Sequence, residues 1–162
     1  MEYKFDASIQ MESTFVAEEY FAAIINFSPE ELNNHFIEFK YNNTDMFEIS
    51  VHPETHVIKR FTLTLCNHFT VIDKDMSVPI CIDGTIIIDG PDTTECETFM
   101  VNLYNNGMLI KLSDEEPKFY YKSGNIIFAI SDNSKLTEVY IINLAKTDVN
   151  HAKNELYLGV EP

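Results

Sequence analysis

From about His35 onward, apolar and polar residues alternate with a period of two. Ile37, Phe39 and Tyr41 share one side of a run in which Glu38 and Lys40 take the other. Phe47, Ile49 and Val51 do the same against Glu48 and Ser50, and Phe61, Leu63 and Leu65 against Thr62 and Thr64. This is the mark of strands with one buried face and one wet face. Asn42-Asn43-Thr44 and His52-Pro53-Glu54-Thr55 separate the runs and read as turns.

The same device recurs downstream. Asp83-Gly84 lies between Val78–Ile82 and Thr85–Asp89 and predicts a tight hairpin, whose turn positions favour positive φ. Pro79 marks the first of those strands as an edge. Asn105-Asn106-Gly107, Ser123-Gly124-Asn125 and Asp132-Asn133-Ser134 predict three more hairpin connections. Leu136 to Leu144 carries apolar residues on both faces, which predicts a central strand.

The first part of the chain reads differently. Val16, Tyr20, Phe21, Ile24 and Phe27 recur at helical spacing. Ser28-Pro29-Glu30-Glu31 reads as the capped start of a second helix running to about Asn34. At the other end, Val149, Ala152 and Leu156 predict a short helix over Asp148 to Leu156. The expected fold is α+β, one domain over 1–162. It is predominantly an antiparallel β meander, a curved sheet or half-barrel, with N-terminal helices and a short C-terminal helix.

Charge sharpens this picture. The chain of 162 residues carries a formal net charge of −15. Arg60 is its single arginine among eleven basic residues. Solubility of a small domain asks for a charge magnitude of only about 2–8. Such a chain is poorly equipped for nucleic acid, because phosphate contacts rest on Arg and Lys. Neither GxGxxG nor GxxxxGK[ST] occurs, so nucleotide binding has no motif to rest on. The charge also disfavours anionic membrane surfaces. The first residues lack the basic-then-apolar pattern of a secretory signal and no apolar run reaches membrane length, so a cytoplasmic protein is expected.

Catalytic and metal chemistry find little support. Cys66, Cys81 and Cys96 have no CxxC spacing and read as free core thiols. His52 and His56 are four apart, but Pro53 breaks the helix that would align them. Cys66 and His68 share a strand face, yet a closed zinc site would need two ligands from elsewhere. No Gly-x-Ser-x-Gly elbow occurs. The expectation is a non-enzymatic protein with no cofactor and no metal.

Carboxylates remain. From Asp73 to Glu97 there are seven acids and one base, Lys74. Asp83, Asp89, Asp92, Glu95 and Glu97 fall in or beside turns of this stretch, and Asp114, Glu115 and Glu116 form a second acidic knot before Pro117. The segment does not match the calcium-loop pattern. These eight residues are the candidate contact surface for a protein partner, since acidic turn residues can project from a rigid sheet. A pocket for a small molecule, enclosed by a curved meander rich in Tyr and Phe, is the alternative.

A small acidic domain with this pattern resembles bacterial immunity proteins of contact-dependent growth-inhibition and polymorphic toxin systems. The similar stretches are Thr55-His56-Val57-Ile58-Lys59-Arg60-Phe61-Thr62-Leu63-Thr64-Leu65-Cys66-Asn67 and Glu138-Val139-Tyr140-Ile141-Ile142-Asn143-Leu144. The resemblance implies a cytoplasmic inhibitor that binds one basic toxin domain, often a nuclease, and occludes its active site. It assigns no individual residue a role.

Overall fold

The computed structural model describes residues 1–27 and 34–159. Among them, fifteen strands precede one helix. In chain order these are β1 (Glu2–Asp6), β2 (Thr14–Phe15), β3 (Ala23–Asn26), β4 (His35–Tyr41) and β5 (Asp45–Val51). Then come β6 (Ile58–Leu65), β7 (Phe69–Val71), β8 (Ile82–Asp83), β9 (Thr85–Asp89) and β10 (Thr93–Glu95). The last are β11 (Met100–Leu103), β12 (Met108–Lys111), β13 (Pro117–Ser123), β14 (Ile126–Ser131), β15 (Leu136–Ile141) and α1 (Lys146–Leu158).

The strands form three open sheets. One has six strands in the order β10-β4-β5-β6-β3-β2, one has seven in the order β7-β11-β12-β15-β14-β13-β8, and β1 and β9 form a ribbon. A single core joins the two larger sheets. Ile37, Phe39, Phe47, Ile49, Phe61 and Leu63 come from the first, and Val101, Leu103, Ile110, Phe128, Val139 and Ile141 from the second. Phe47 sits at its centre, with ring centroids 4.8 Å from Phe39, 5.1 Å from Phe61 and 6.1 Å from Phe99. The ribbon bridges the two sheets at one side. Ile88 N donates to His56 O, and Ile86 N donates to Ser123 Oγ.

The seven-stranded sheet is covered on its other face too. Ile127, Ala129, Tyr140 and Ile142 pack there with Met76 from the β7–β8 connection. This is why β14 and β15 read as nearly continuous apolar runs. β15 is the central strand, as its two apolar faces predict.

The expected α+β meander is corrected in three ways. First, no helix precedes α1 among the described residues, and Val16–Phe27 spans the β2–β3 connection, β3 and the residue after it. Ala23, Ile24 and Ile25 are all fully buried because β3 is covered on both faces, so period-two alternation is erased and helical spacing appears by default. Tyr20 has φ +76° and is largely exposed, incompatible with a helix interior. The helix expected from Ser28 starts outside the described residues. Second, the strands do not form one meander. Three pairs are parallel, β10 with β4, β7 with β11 and β8 with β13.

Third, Asp83-Gly84 is not a hairpin turn. β8 pairs with β13 while β9 pairs with β1. Gly84 is small because the chain passes against β1 there: a Cβ would meet Asp6 O, and Ala7 Cα at 2.8 Å. The other turns fold as read. Asn42, Ser134 and Gly124 take positive φ at the β4–β5, β14–β15 and β13–β14 connections. The C-terminal helix is present as α1, with Ala152 and Leu156 buried and Asp148 Oδ2 accepting the N–H of Ala145.

Candidate functional site

Antiparallel pairing brings the start of β11, the end of β12 and the β14–β15 turn to one end of the seven-stranded sheet. Glu97 and Glu115 come together there, Glu95 from β10 lines the same cleft as Glu115, Asp114 and Glu116 flank Glu115 in the β12–β13 connection, and Asp132 in the β14–β15 turn pairs with Lys118. Lys135 sits among them. Its Nζ bonds Glu97 Oε1 and lies 3.8 Å from Glu115 Oε2. Ser113, buried beneath, donates its hydroxyl to Glu97 Oε2 at 3.2 Å and accepts the N–H of Glu115 at 3.1 Å. Asn133 Nδ2 donates to Glu115 Oε1 at 2.6 Å. These bonds fix the two carboxylates relative to the sheet.

A cleft of about 410 Å³ opens beside them. Phe39, Leu112, Leu136, Met1 and Tyr3 supply its apolar wall. Glu95, Glu115, Lys135 and Thr94 supply polar groups. Its size and mixed lining suit a small ligand or one side chain of a partner. The Thr94 hydroxyl is buried with no hydrogen-bond partner among the described residues. Lys40 balances Glu95 at 3.4 Å, and Lys111 balances Asp114 at 3.5 Å.

Ionisation follows from these contacts. The bond from Lys135 holds the Glu97 carboxyl below the usual carboxylate range, with Ser113 adding to it. The same bond raises the Lys135 ammonium. Burial pushes the Cys96 thiol up to about 12, and Glu95 reinforces the shift. Burial also raises the Tyr3 phenol. At neutral pH the cleft therefore presents the Lys135 ammonium and two protonated neutral groups, Cys96 and Tyr3, with Glu97 beside it. Its thiol is a poor nucleophile.

The remaining candidates lie elsewhere. Asp89 ends β9 with its carboxylate 3.9 Å from His56 Nδ1, and Asp92 lies 3.1 Å from His35 Nε2. Asp92 belongs to the β9–β10 connection, and neither residue lines the cleft. Asp83 is apart, paired with Lys122 at 3.6 Å at the other end of β13. Sequence reasoning missed Lys135, Thr94 and Tyr3. An isolated lysine after a turn carries no pattern, and only cross-strand pairing places it beside Glu97 and Glu115.

Cys66 and His68 do not pair as ligands. The Cys66 thiol points to the His68 carbonyl at 3.6 Å, and burial pushes it up to about 12. Among the described residues, no three His, Cys, Asp or Glu side chains converge as a metal ion would require. No helix there is long and apolar enough to cross a membrane. No protein-family model matches the chain, and no curated protein matches it.

Proposed function

We propose that this chain is a non-enzymatic inhibitor that binds a basic protein through its acidic pole, in the manner of an immunity protein neutralising a nuclease toxin domain. One observation carries the reading. Carboxylates from the β10–β11, β12–β13 and β14–β15 connections converge at one end of a rigid sheet. Glu97 and Glu115 are held there by hydrogen bonds rather than left free. Fixed carboxylates can stand where a nuclease expects phosphate. The net charge of −15 adds steering toward a cationic partner, which at low salt raises association toward about 10⁸–10⁹ M⁻¹s⁻¹. Inhibition by occlusion needs no catalytic group.

The test is affinity capture of the partner from the native host, followed by charge reversal. Wild-type protein should retain a basic protein at low salt and release it at high salt. Glu95→Lys with Glu115→Lys should lose it, while Asp83→Lys, at the other end of β13, should not. Equal loss in both variants, or capture of acidic partners only, removes the reading.

The cleft favours a second reading. A volume of about 410 Å³, an apolar wall and the unpartnered Thr94 hydroxyl suit a small ligand. Native mass spectrometry of protein purified from its host separates the two readings: a stoichiometric small molecule supports this one.

A further inference from the structure

The six-stranded sheet ends at β10, whose outer edge has no strand beside it among the described residues. Register and hydrogen bonds fix which backbone groups that edge presents. Glu38 N donates to Asp92 O, and Cys96 N donates to Lys40 O, both at 2.7 Å. Bonding alternates along a parallel pair, so Asp92, Thr94 and Cys96 turn their backbone groups to β4. Thr93 and Glu95 turn an N–H and a C=O each to the open side, and both residues are exposed. The side chains alternate as well. Thr94 stands beside Phe39, on the face of the shared core. Thr93 and Glu95 stand on the outer face beside Glu38 and Lys40, with Thr93 Oγ1 3.4 Å from Glu38 Oε2 and Lys40 Nζ 3.4 Å from Glu95 Oε1.

The cleft of about 410 Å³ lies at this edge. Its wall passes from Phe39 and Thr94 in the six-stranded sheet to Leu112, beside β12, and Leu136, on β15 of the other sheet. The gap between the two sheets is thus where one more strand would place its inward side chains. The Thr94 hydroxyl is buried there with no partner among the described residues. We propose that β10 accepts an extended segment of the basic partner as a further strand, its apolar side chains entering the cleft and its basic ones, alternating with them, lying on the outer face. The identity of that partner rests on the inhibitor reading above; the way it docks rests on the edge and the cleft.

Charge decides which strand can approach. Glu38, Asp92, Glu95, Glu97 and Glu115 lie along this edge and cleft, against Lys40, Lys135 and the His35 imidazole. Carboxylates on an edge strand repel a second copy of a chain of net charge −15 and attract a cationic segment.

Titration of the full chain at low salt with a short capped peptide of alternating lysine and valine tests this. Binding should slow amide hydrogen exchange at Thr93 and Glu95. Two further peptides carry N-methyl groups on alternate amides, one on the odd and one on the even positions. One should bind and the other fail, because a single edge of the added strand meets β10. Thr93→Pro removes an outward N–H and no charge, so it should weaken peptide binding by about fivefold or more with the melting temperature near that of the wild type. Equal binding of the two methylated peptides overturns the proposal. So does an unmethylated peptide that does not bind, or a folded Thr93→Pro protein that binds it like the wild type. If Thr93→Pro still captures a basic partner that the charge-reversed variant loses, strand addition fails while the inhibitor reading stands.

Discussion

Asp45 Oδ2 lies 2.6 Å from His68 Nδ1, with the aspartate side chain fully buried and the imidazole 46% exposed. Asp45 also accepts the N–H groups of Asn67 at 2.7 Å and His68 at 3.1 Å, and the Thr44 hydroxyl at 2.7 Å. One carboxylate thus ties the β4–β5 turn to the β6–β7 connection. A buried carboxylate is tolerated only when its acceptor sites are filled, as they are here. Asp45→Ala should therefore cost about 2 kcal/mol, because it removes a buried carboxylate that three part-buried donors and the imidazole share. His68→Ala should cost about 1 kcal/mol, since the ring is half in water. Urea unfolding of both variants measures the difference, and the reverse ranking refutes this account.

Glu38 and Glu48 stand directly opposite each other on β4 and β5. Burial raises the Glu48 carboxyl, Glu38 raises it further, and Arg60 opposes both. A raised carboxylate pKa favours the folded state when the group is protonated. That stabilisation is present below the unfolded pKa and lost as pH rises through the folded one. Glu48→Gln should accordingly stabilise the protein by about 0.5 kcal/mol at neutral pH, within the range of cross-strand pair effects. The gain should vanish below the carboxylate range. Denaturant midpoints at neutral and acid pH check both halves.

Glu97 has the opposite sign. Its pKa is lowered by Lys135 and then Ser113. Its contribution to stability is present above the unfolded carboxylate pKa and lost as pH falls through the lowered folded value. Lys135→Met should return the Glu97 carboxyl toward its ordinary range in an NMR titration, with a small stability change because the pair is solvent-exposed. An unmoved Glu97 titration means that Lys135 does not organise the acidic pole.

Gly124 has φ +55° in the β13–β14 turn, and a Cβ there would meet the Ser13 hydroxyl and Phe27 Cε1 at 3.0 Å. Ser13 Oγ in turn accepts the N–H of Asn125 at 2.7 Å. Gly124→Ala combines left-handed strain of about 1 kcal/mol with displacement of that bond, for a loss of about 2 kcal/mol. Thermal unfolding should show it. Gly159→Ala, at the end of α1 with nothing closer than 3.5 Å, serves as the mild control.

The sequence by itself determined strands whose two faces differ in polarity. Ile37/Phe39, Phe47/Ile49 and Phe61/Leu63 alternate with polar residues because one side of each strand meets the core and the other meets water. It also determined α1 and the local turns other than Asp83-Gly84, since a short reversal and a short helix are specified mainly by neighbours in the chain. Tertiary structure alone decided what β3 is, because burial on both faces erases period. It decided the face of Leu136 as well. Ile130 pairs with Leu136 but Ala129 with Glu138, and the bulge at Thr137 turns Leu136 into the same core as Val139 and Ile141. The pairing of β1 with β9, the parallel partners of β7, β8 and β10, and the meeting of Lys135 with Glu97 and Glu115 join residues far apart in the chain. Such contacts are chosen by the shape of the shared core, which no stretch of sequence carries alone.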